Sequence, residues 1–179
     1  MRGFFTGIVF TLAVFAGGAV VAVFTGALPP GADNKPPAIE EAAANKSLHV
    51  AIARASHGMT NPIADTNENL IAGIKTYGAN CAVCHGAADA KSSTLAKGFY
   101  IKSPMLAKEG VEDDPDGVTF WKLKHGIRFS AMPAFGANLS DDELWKVALF
   151  LKHMDKLPPV ADAEWKKLPS VANDALAVH

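Results

Sequence analysis

Residues 4–28 carry no charged side chain, and behind Arg2 the next charge is Asp33. A bilayer core about 30 Å thick needs about 20 helical residues at roughly 1.5 Å each. Residues 4–24 meet that length alone. A signal-peptide core spans only about 7–15 residues, so the longer run predicts a retained transmembrane anchor. Thr25-Gly26-Ala27 would nevertheless serve as a cleavage site. Either reading carries the rest of the chain across the membrane and leaves Arg2 on the cytoplasmic side. The expectation is a membrane-anchored protein whose main domain lies on the periplasmic, extracytoplasmic side.

The remainder divides by composition. Residues 29–37 combine proline pairs with polar residues and form a stiff spacer. Residues 40–56 predict a helix with Leu48, Ile52 and Ala55 on a modest apolar face, ended by Gly58 and the turn at Asn61-Pro62. The expected organisation is an anchor over 1–28, a linker and amphipathic helix over 29–64, a folded domain over 65–158 and a tail over 159–179. At 49% apolar and 20% charged residues the chain can pack a core. Lys+Arg (17) and Asp+Glu (18) nearly balance, so no nucleic-acid partner is expected. The tail after Pro158-Pro159 carries a weak helix signal and reads as a strap or a frayed end.

The chain has two cysteines, and both lie in Cys81-Ala82-Val83-Cys84-His85. C-x-x-C-H is an attachment pattern for c-type haem. Two thiols at this spacing can each add to one haem vinyl group, and the next residue then offers an imidazole to the iron. A thioredoxin-like dithiol would need a βαβ context, and here the flanks read as helical. A zinc site would need two further ligands from scattered histidines such as His125 or His153. Two cysteines exclude a four-cysteine iron–sulfur site.

Two helical stretches flank this motif. In residues 69–77, Leu70, Gly73, Ile74 and Tyr77 share a face. In residues 140–151, Leu144, Val147, Ala148 and Leu151 follow an i, i+3, i+4, i+7 pattern behind a capping box of Ser140 and Glu143. A shorter helix around Phe120, Trp121 and Leu123 ends at Gly126. Between it and the last helix lies the loop 126–135, with Met132 followed by Pro133, which biases Met132 away from helix. Helix, haem motif, methionine loop and closing helix, in this order over residues 69–157, resemble the class I monohaem cytochromes c in a membrane-anchored form.

That resemblance implies an all-α fold, a class I cytochrome c domain behind one N-terminal transmembrane helix. It implies one covalent haem c, with its first and last helices crossing at a contact that Gly73, Tyr77 and Phe150 match. It implies that Cys81 and Cys84 attach the haem and that His85 and Met132 are its axial ligands, a thioether raising the potential. Met105 and His125 remain open as alternatives to Met132, while Met154 continues an apolar helix stripe. A proline carbonyl at Ser103-Pro104 would orient His85, and Tyr100, Trp121 and Arg128 are candidates to reach the haem propionates.

With both axial positions filled no catalytic residue is expected: the chain reads as an electron carrier, not an enzyme. Its partners would be redox proteins, a membrane respiratory complex among them, and membrane lipid through the anchor. The alternatives are a haem subunit fixed in a larger respiratory or dehydrogenase complex, and a ligand-sensing or peroxidase-like haem with a labile sixth position. Lysines at 91, 97, 102 and 108 precede an acidic run over 109–116, a charge distribution able to steer a partner. The acidic loop 113–117 lacks the spaced ligands of a calcium loop.

Overall fold

The computed structural model describes residues 2–27 and 30–172. The expected anchor–linker boundary at residues 28 and 29, and the end of the tail beyond 172, lie outside the described residues. The chain divides into two units, residues 1–32 and 33–179. All regular structure among the described residues is helical.

The first unit holds one helix, α1 (Arg2–Phe24). Its span Gly3–Phe24 is long and apolar enough to cross a membrane. The helix is apolar on every side, as lipid requires of a spanning segment. Thr11 donates its hydroxyl to the Gly7 carbonyl (3.0 Å) and Thr25, just past the end of the helix, to that of Val21 (2.7 Å), so both hydroxyls are satisfied by the helix backbone.

The second unit is built on two helices, α3 (Asn67–Asn80) and α8 (Asp141–Lys152), with the remaining elements arranged about them. Thr66 starts α3 by accepting the Asn69 N–H. Ser140 starts α8 through the expected capping box: its hydroxyl accepts the Glu143 N–H, and the Glu143 carboxylate accepts the Ser140 N–H (2.9 Å). Leu70, Ile74, Tyr77, Leu144, Val147 and Phe150 are almost completely buried between them.

Gly73 lets these two helices touch. A Cβ there would stand 2.1 Å from the Lys146 carbonyl oxygen, so any side chain would push the backbones apart. Tyr77 and Phe150 close the same contact edge to face, with ring centroids 5.4 Å apart.

Three further helices support this pair. Before the haem motif, α2 (Ala38–Ala55) buries Ile52 and the following Ser56 and packs on α7 (Asp116–His125). Its inward face runs through 48, 52 and 56, and Ala55 is exposed. Gly117 of α7 sits against Met59, where a Cβ would come within 2.7 Å of the Met59 side chain. One turn along α7, Phe120 stacks parallel on Trp145 of α8, centroids 3.9 Å apart.

The segment expected to strap or fray forms α9 (Pro159–Lys167), which lies on α3. Proline at its first turn suits a position where no N–H partner exists. Ala161 and Trp165 are buried, and the Trp165 ring meets both Tyr77 (5.5 Å) and Phe150 (5.1 Å). Trp165 thus makes the third member of an aromatic cluster at the α3–α8 crossing.

Candidate functional site

The haem motif forms one helical turn, α4 (Ala82–His85), directly behind α3. Cys84 and His85 both donate their N–H to the Cys81 carbonyl (3.0 and 2.9 Å), and Gly86 donates to that of Ala82 (2.8 Å). Gly86, at φ +81°, then turns the chain away, a conformation that glycine adopts without steric cost. Four residues of helix have little stability of their own, so the turn depends on what holds it from outside.

Three hydrogen bonds do so. Tyr77 in α3 donates its hydroxyl to the Gly86 carbonyl (2.8 Å). Ser93, buried at the start of α5 (Thr94–Lys97), donates to the Val83 carbonyl (2.5 Å) and accepts the Ala96 N–H (3.1 Å). His85 Nδ1 lies 3.0 Å from the Pro104 carbonyl oxygen. That carbonyl can only accept, so Nδ1 carries the proton and the lone pair stays on Nε2, the tautomer a metal-bound imidazole needs.

Burial dominates the electrostatics. It holds the His85 imidazole below its ordinary range, against the opposing pull of the Pro104 carbonyl and the Glu109 carboxylate. The Cys81 thiol is pushed up to about 12, by burial first and the neighbouring Cys84 second, and burial raises Cys84 as well. Both cysteines are free. A redox dithiol works through a lowered pKa, and these thiols move the other way. Among the described residues no three His, Cys, Asp or Glu side chains come together in a manner able to hold a metal ion.

Met132 sits on a separate, tightly folded loop. Ile127 donates its N–H to the Met132 carbonyl (3.1 Å), the Ser130 hydroxyl donates to the Ile127 carbonyl (2.7 Å), and Met132 donates its N–H to Ser130 Oγ (3.2 Å). Gly126, at φ +66°, packs directly on this loop: a Cβ would lie 2.6 Å from the Pro133 carbonyl carbon and 2.7 Å from the Met132 oxygen. Met132 is half-buried and packs on the same core cluster as Cys81 and Ala82. Next to it, Phe129 has φ +64° and is 87% exposed.

The remaining candidates divide. Met105 follows Pro104, and its sulfur would lie 3.2 Å from a Cβ on Gly86, which puts it beside the backbone that leaves His85. His125 is exposed and its ring lies 4.8 Å from that of Trp121. The three propionate candidates all have protein neighbours. Tyr100 donates to Glu40 (3.2 Å), Trp121 meets His125, and Arg128 lies over the Phe129 ring at 4.7 Å. The Tyr77 and Ser93 tethers escaped the reading of the sequence. For Ser93 a local signal existed, a serine opening a short helix; for the Tyr77 hydroxyl there was none.

The donor set fits a covalently attached haem: two protonated thiols on one turn, able to add S–H across a vinyl group, and a histidine in the Nε2-basic tautomer. Comparison with known proteins agrees. Residues 68–151 match the family described as "Cytochrome C oxidase, cbb3-type, subunit III". Cytochrome c6 of Diacronema lutheri is 32% identical over 79 residues, covering 44% of this chain and 88% of that protein. No solved structure matches the chain. On the all-helical fold, the C-x-x-C-H turn and this relationship, the chain belongs to the class I monohaem cytochromes c, carries haem c and serves haem-based electron transfer.

Proposed function

We propose that the protein is a membrane-anchored electron carrier. Its single haem is attached through Cys81 and Cys84, and His85 and Met132 are the axial ligands. When bound, the haem supplies a one-electron couple between ferric and ferrous iron. Every other part of the work falls to the chain. The observation that carries the reading is the bond between His85 Nδ1 and the Pro104 carbonyl, 3.0 Å long. It fixes the ring and leaves Nε2 as the basic nitrogen on the same turn as the two cysteines, whereas His153, which makes a like bond to the Leu149 carbonyl, has its Nε2 paired with Asp65 (3.2 Å).

Met132 is favoured as the second ligand over Met105 for a geometric reason. Pro104 holds His85 by Nδ1, so Nε2 is the nitrogen that would face a metal, and Met105 is the residue directly after Pro104 with its sulfur beside Gly86. A ligand opposite His85 has to come from another segment. The Gly126–Pro133 loop supplies one whose backbone is tied down at three hydrogen bonds. With both positions filled from the protein, no open coordination site is left for catalysis.

Residues 1–28 act as the anchor, 29–64 as spacer and first covering helix, 65–158 as the haem domain and 159–179 as its tail. The haem domain lies on the periplasmic side; a span-length apolar α1 with Arg2 before it supports this reading. The partners are redox proteins at that membrane. The family match to a subunit of a cbb3-type oxidase favours a respiratory complex among them, as does an anchor that confines the carrier to the same bilayer.

Absorption spectra of the purified full chain, with a pyridine haemochrome assay, test the assignment. A covalent c-type haemochrome is expected, with the weak far-red band of thioether-bound ferric haem. Met132→Ala should abolish that band, and Cys81→Ser with Cys84→Ser should abolish covalent haem. An unchanged low-spin spectrum in Met132→Ala refutes the sixth ligand. Covalent haem surviving the double serine change refutes the attachment.

A further inference from the structure

Behind His85 the hydrogen bonding continues through one peptide unit. The Pro104 carbonyl accepts from His85 Nδ1. The N–H of that same peptide, belonging to Met105, donates to Glu109 Oε1 at 3.0 Å. Glu109 closes the single turn α6 (Leu106–Glu109), and its own N–H returns to the Met105 carbonyl (2.9 Å). The imidazole, the peptide and the carboxylate therefore form one chain: Nδ1–H to C=O, N–H to carboxylate.

We infer that Glu109 is a positioning residue that sets the electron donation of His85 through the Pro104–Met105 peptide. An anion accepting at the N–H end of a peptide polarises it and makes its carbonyl a better acceptor. A stronger acceptor at Nδ1 gives the imidazole more imidazolate character, and so a more basic Nε2. That favours ferric over ferrous iron and lowers the reduction potential. The inference rests on His85 as axial ligand. It adds a control that capping alone would not need: a glutamate capping α6 would serve equally well with its charge removed.

The experiment is potentiometry of the full-length holoprotein, wild type against Glu109→Gln and Glu112→Gln, at low salt and at 0.5 M salt. Glutamine still offers an oxygen to the Met105 N–H, so α6 stays capped while the charge is lost. The expected result is a rise in potential for Glu109→Gln, equal to a two- to fivefold change in the redox equilibrium constant. At 59 mV per tenfold for one electron this is about 18–41 mV. Glu109 is exposed, so the part of the shift that its charge exerts through solvent should fall with salt while the part carried by the hydrogen-bonded chain persists; Glu112 carries the same charge with no bond to this peptide and should show only the screened part. The His85 Nδ1 proton resonance of the ferrous protein should move upfield in Glu109→Gln and stay in place in Glu112→Gln. Glu109→Ala, which removes the acceptor altogether, should shift both readouts at least as far and serves if the glutamine variant does not fold. An unmoved resonance, or a potential shift that salt abolishes in both variants alike, overturns the inference. A wild type lacking the resonance of an axial imidazole overturns the ligand assignment and the inference together; a normal wild type with an unresponsive Glu109 overturns the inference alone.

Discussion

Replacing Gly73 by alanine puts the α3–α8 contact to a direct test. In an isolated helix the change should help, since alanine outranks glycine by about 1 kcal/mol. Here the added Cβ would lie 2.1 Å from the Lys146 oxygen and 2.7 Å from its carbonyl carbon, where ordinary contact begins at 3.4 Å. These are backbone atoms in the middle of α8, so no side chain can rotate away. Relief requires the helices to separate by more than about 1 Å, and a gap of 0.5–1 Å already forfeits a quarter to a half of each dispersion contact it opens. The contacts at risk are those of the most buried residues, Ile74, Tyr77, Val147 and Phe150. Overpacking against backbone atoms puts this site at about 3 kcal/mol or more, the top of the usual range, leaving about 2 kcal/mol or more net against the gain in helix propensity. Urea unfolding of the holoprotein, followed by far-UV circular dichroism, should show that loss, together with a fall in Tm on the order of 10 °C. Gly78, on the same helix, is the control. A Cβ there meets only the Leu168 side chain, at 2.8 Å and beyond, so Gly78→Ala should stay within about 1 kcal/mol of wild type. Equal stabilities for the two variants would refute the claim that backbone contact at Gly73 sets the helix spacing.

Other changes probe the site more locally. Gly126→Ala forces a side chain into a φ of +66° and against Pro133; a loss of about 1–3 kcal/mol is expected, with easier displacement of the sixth ligand by added imidazole, read in the spectrum. Tyr77→Phe keeps the aromatic cluster but removes the hydroxyl that the buried Gly86 carbonyl accepts from; unfolding should become easier by about 1–2 kcal/mol while the haem stays covalently bound. Glu143 is held below its ordinary 4.5 by the Ser140 hydroxyl and N–H. A lowered folded-state pKa gives a contribution present above the unfolded value and lost as pH falls through the folded one, so Glu143→Gln should flatten the drop in urea midpoint on acidification below about pH 4.5.

Much of this was legible in the residues because the signals were local and periodic. The Ser140–Glu143 capping box, the apolar stripe of α8 and the C-x-x-C-H turn each declare themselves within a dozen positions. Gly73 and Tyr77 share a helix face in the sequence, but the resemblance to the class I cytochromes c is what places them with Phe150 at one contact. What escaped depends on tertiary contact. α9 has only Ala161 and Trp165 as buried positions, too few to mark a helix by periodicity, yet Trp165 completes the aromatic cluster around Tyr77. The inward face of α2 passes through Ser56 instead of Ala55, since the hydroxyl bonds back to the Ile52 carbonyl (2.8 Å) and needs no other partner. The hydroxyls of Tyr77 and Ser93 reach the haem motif across 9 and 10 positions of sequence, and no pattern in the chain records that reach.

The hydrogen bonds that hold the two proposed ligand segments come from different parts of the fold, although both segments pack on one core cluster. The His85 turn hangs from α3, α5 and the segment before α6, through Tyr77, Ser93 and Pro104. The Met132 loop hangs from its own hydrogen bonds and from Gly126 at the end of α7. The bonds at Tyr77 and at Gly126 have no partner in common. In the proposed carrier this division would have a use: each ligand would stay where its own supports put it whichever charge the iron bore, so little would need to move with the electron. It also makes a quantitative statement. Perturbations with no shared partner add to within about 0.3–0.5 kcal/mol, so the double change of Tyr77→Phe with Gly126→Ala should cost the sum of the single changes in urea unfolding. A coupling above about 1 kcal/mol would mean that loosening one segment loosens the other, and the independence of the two supports would be lost.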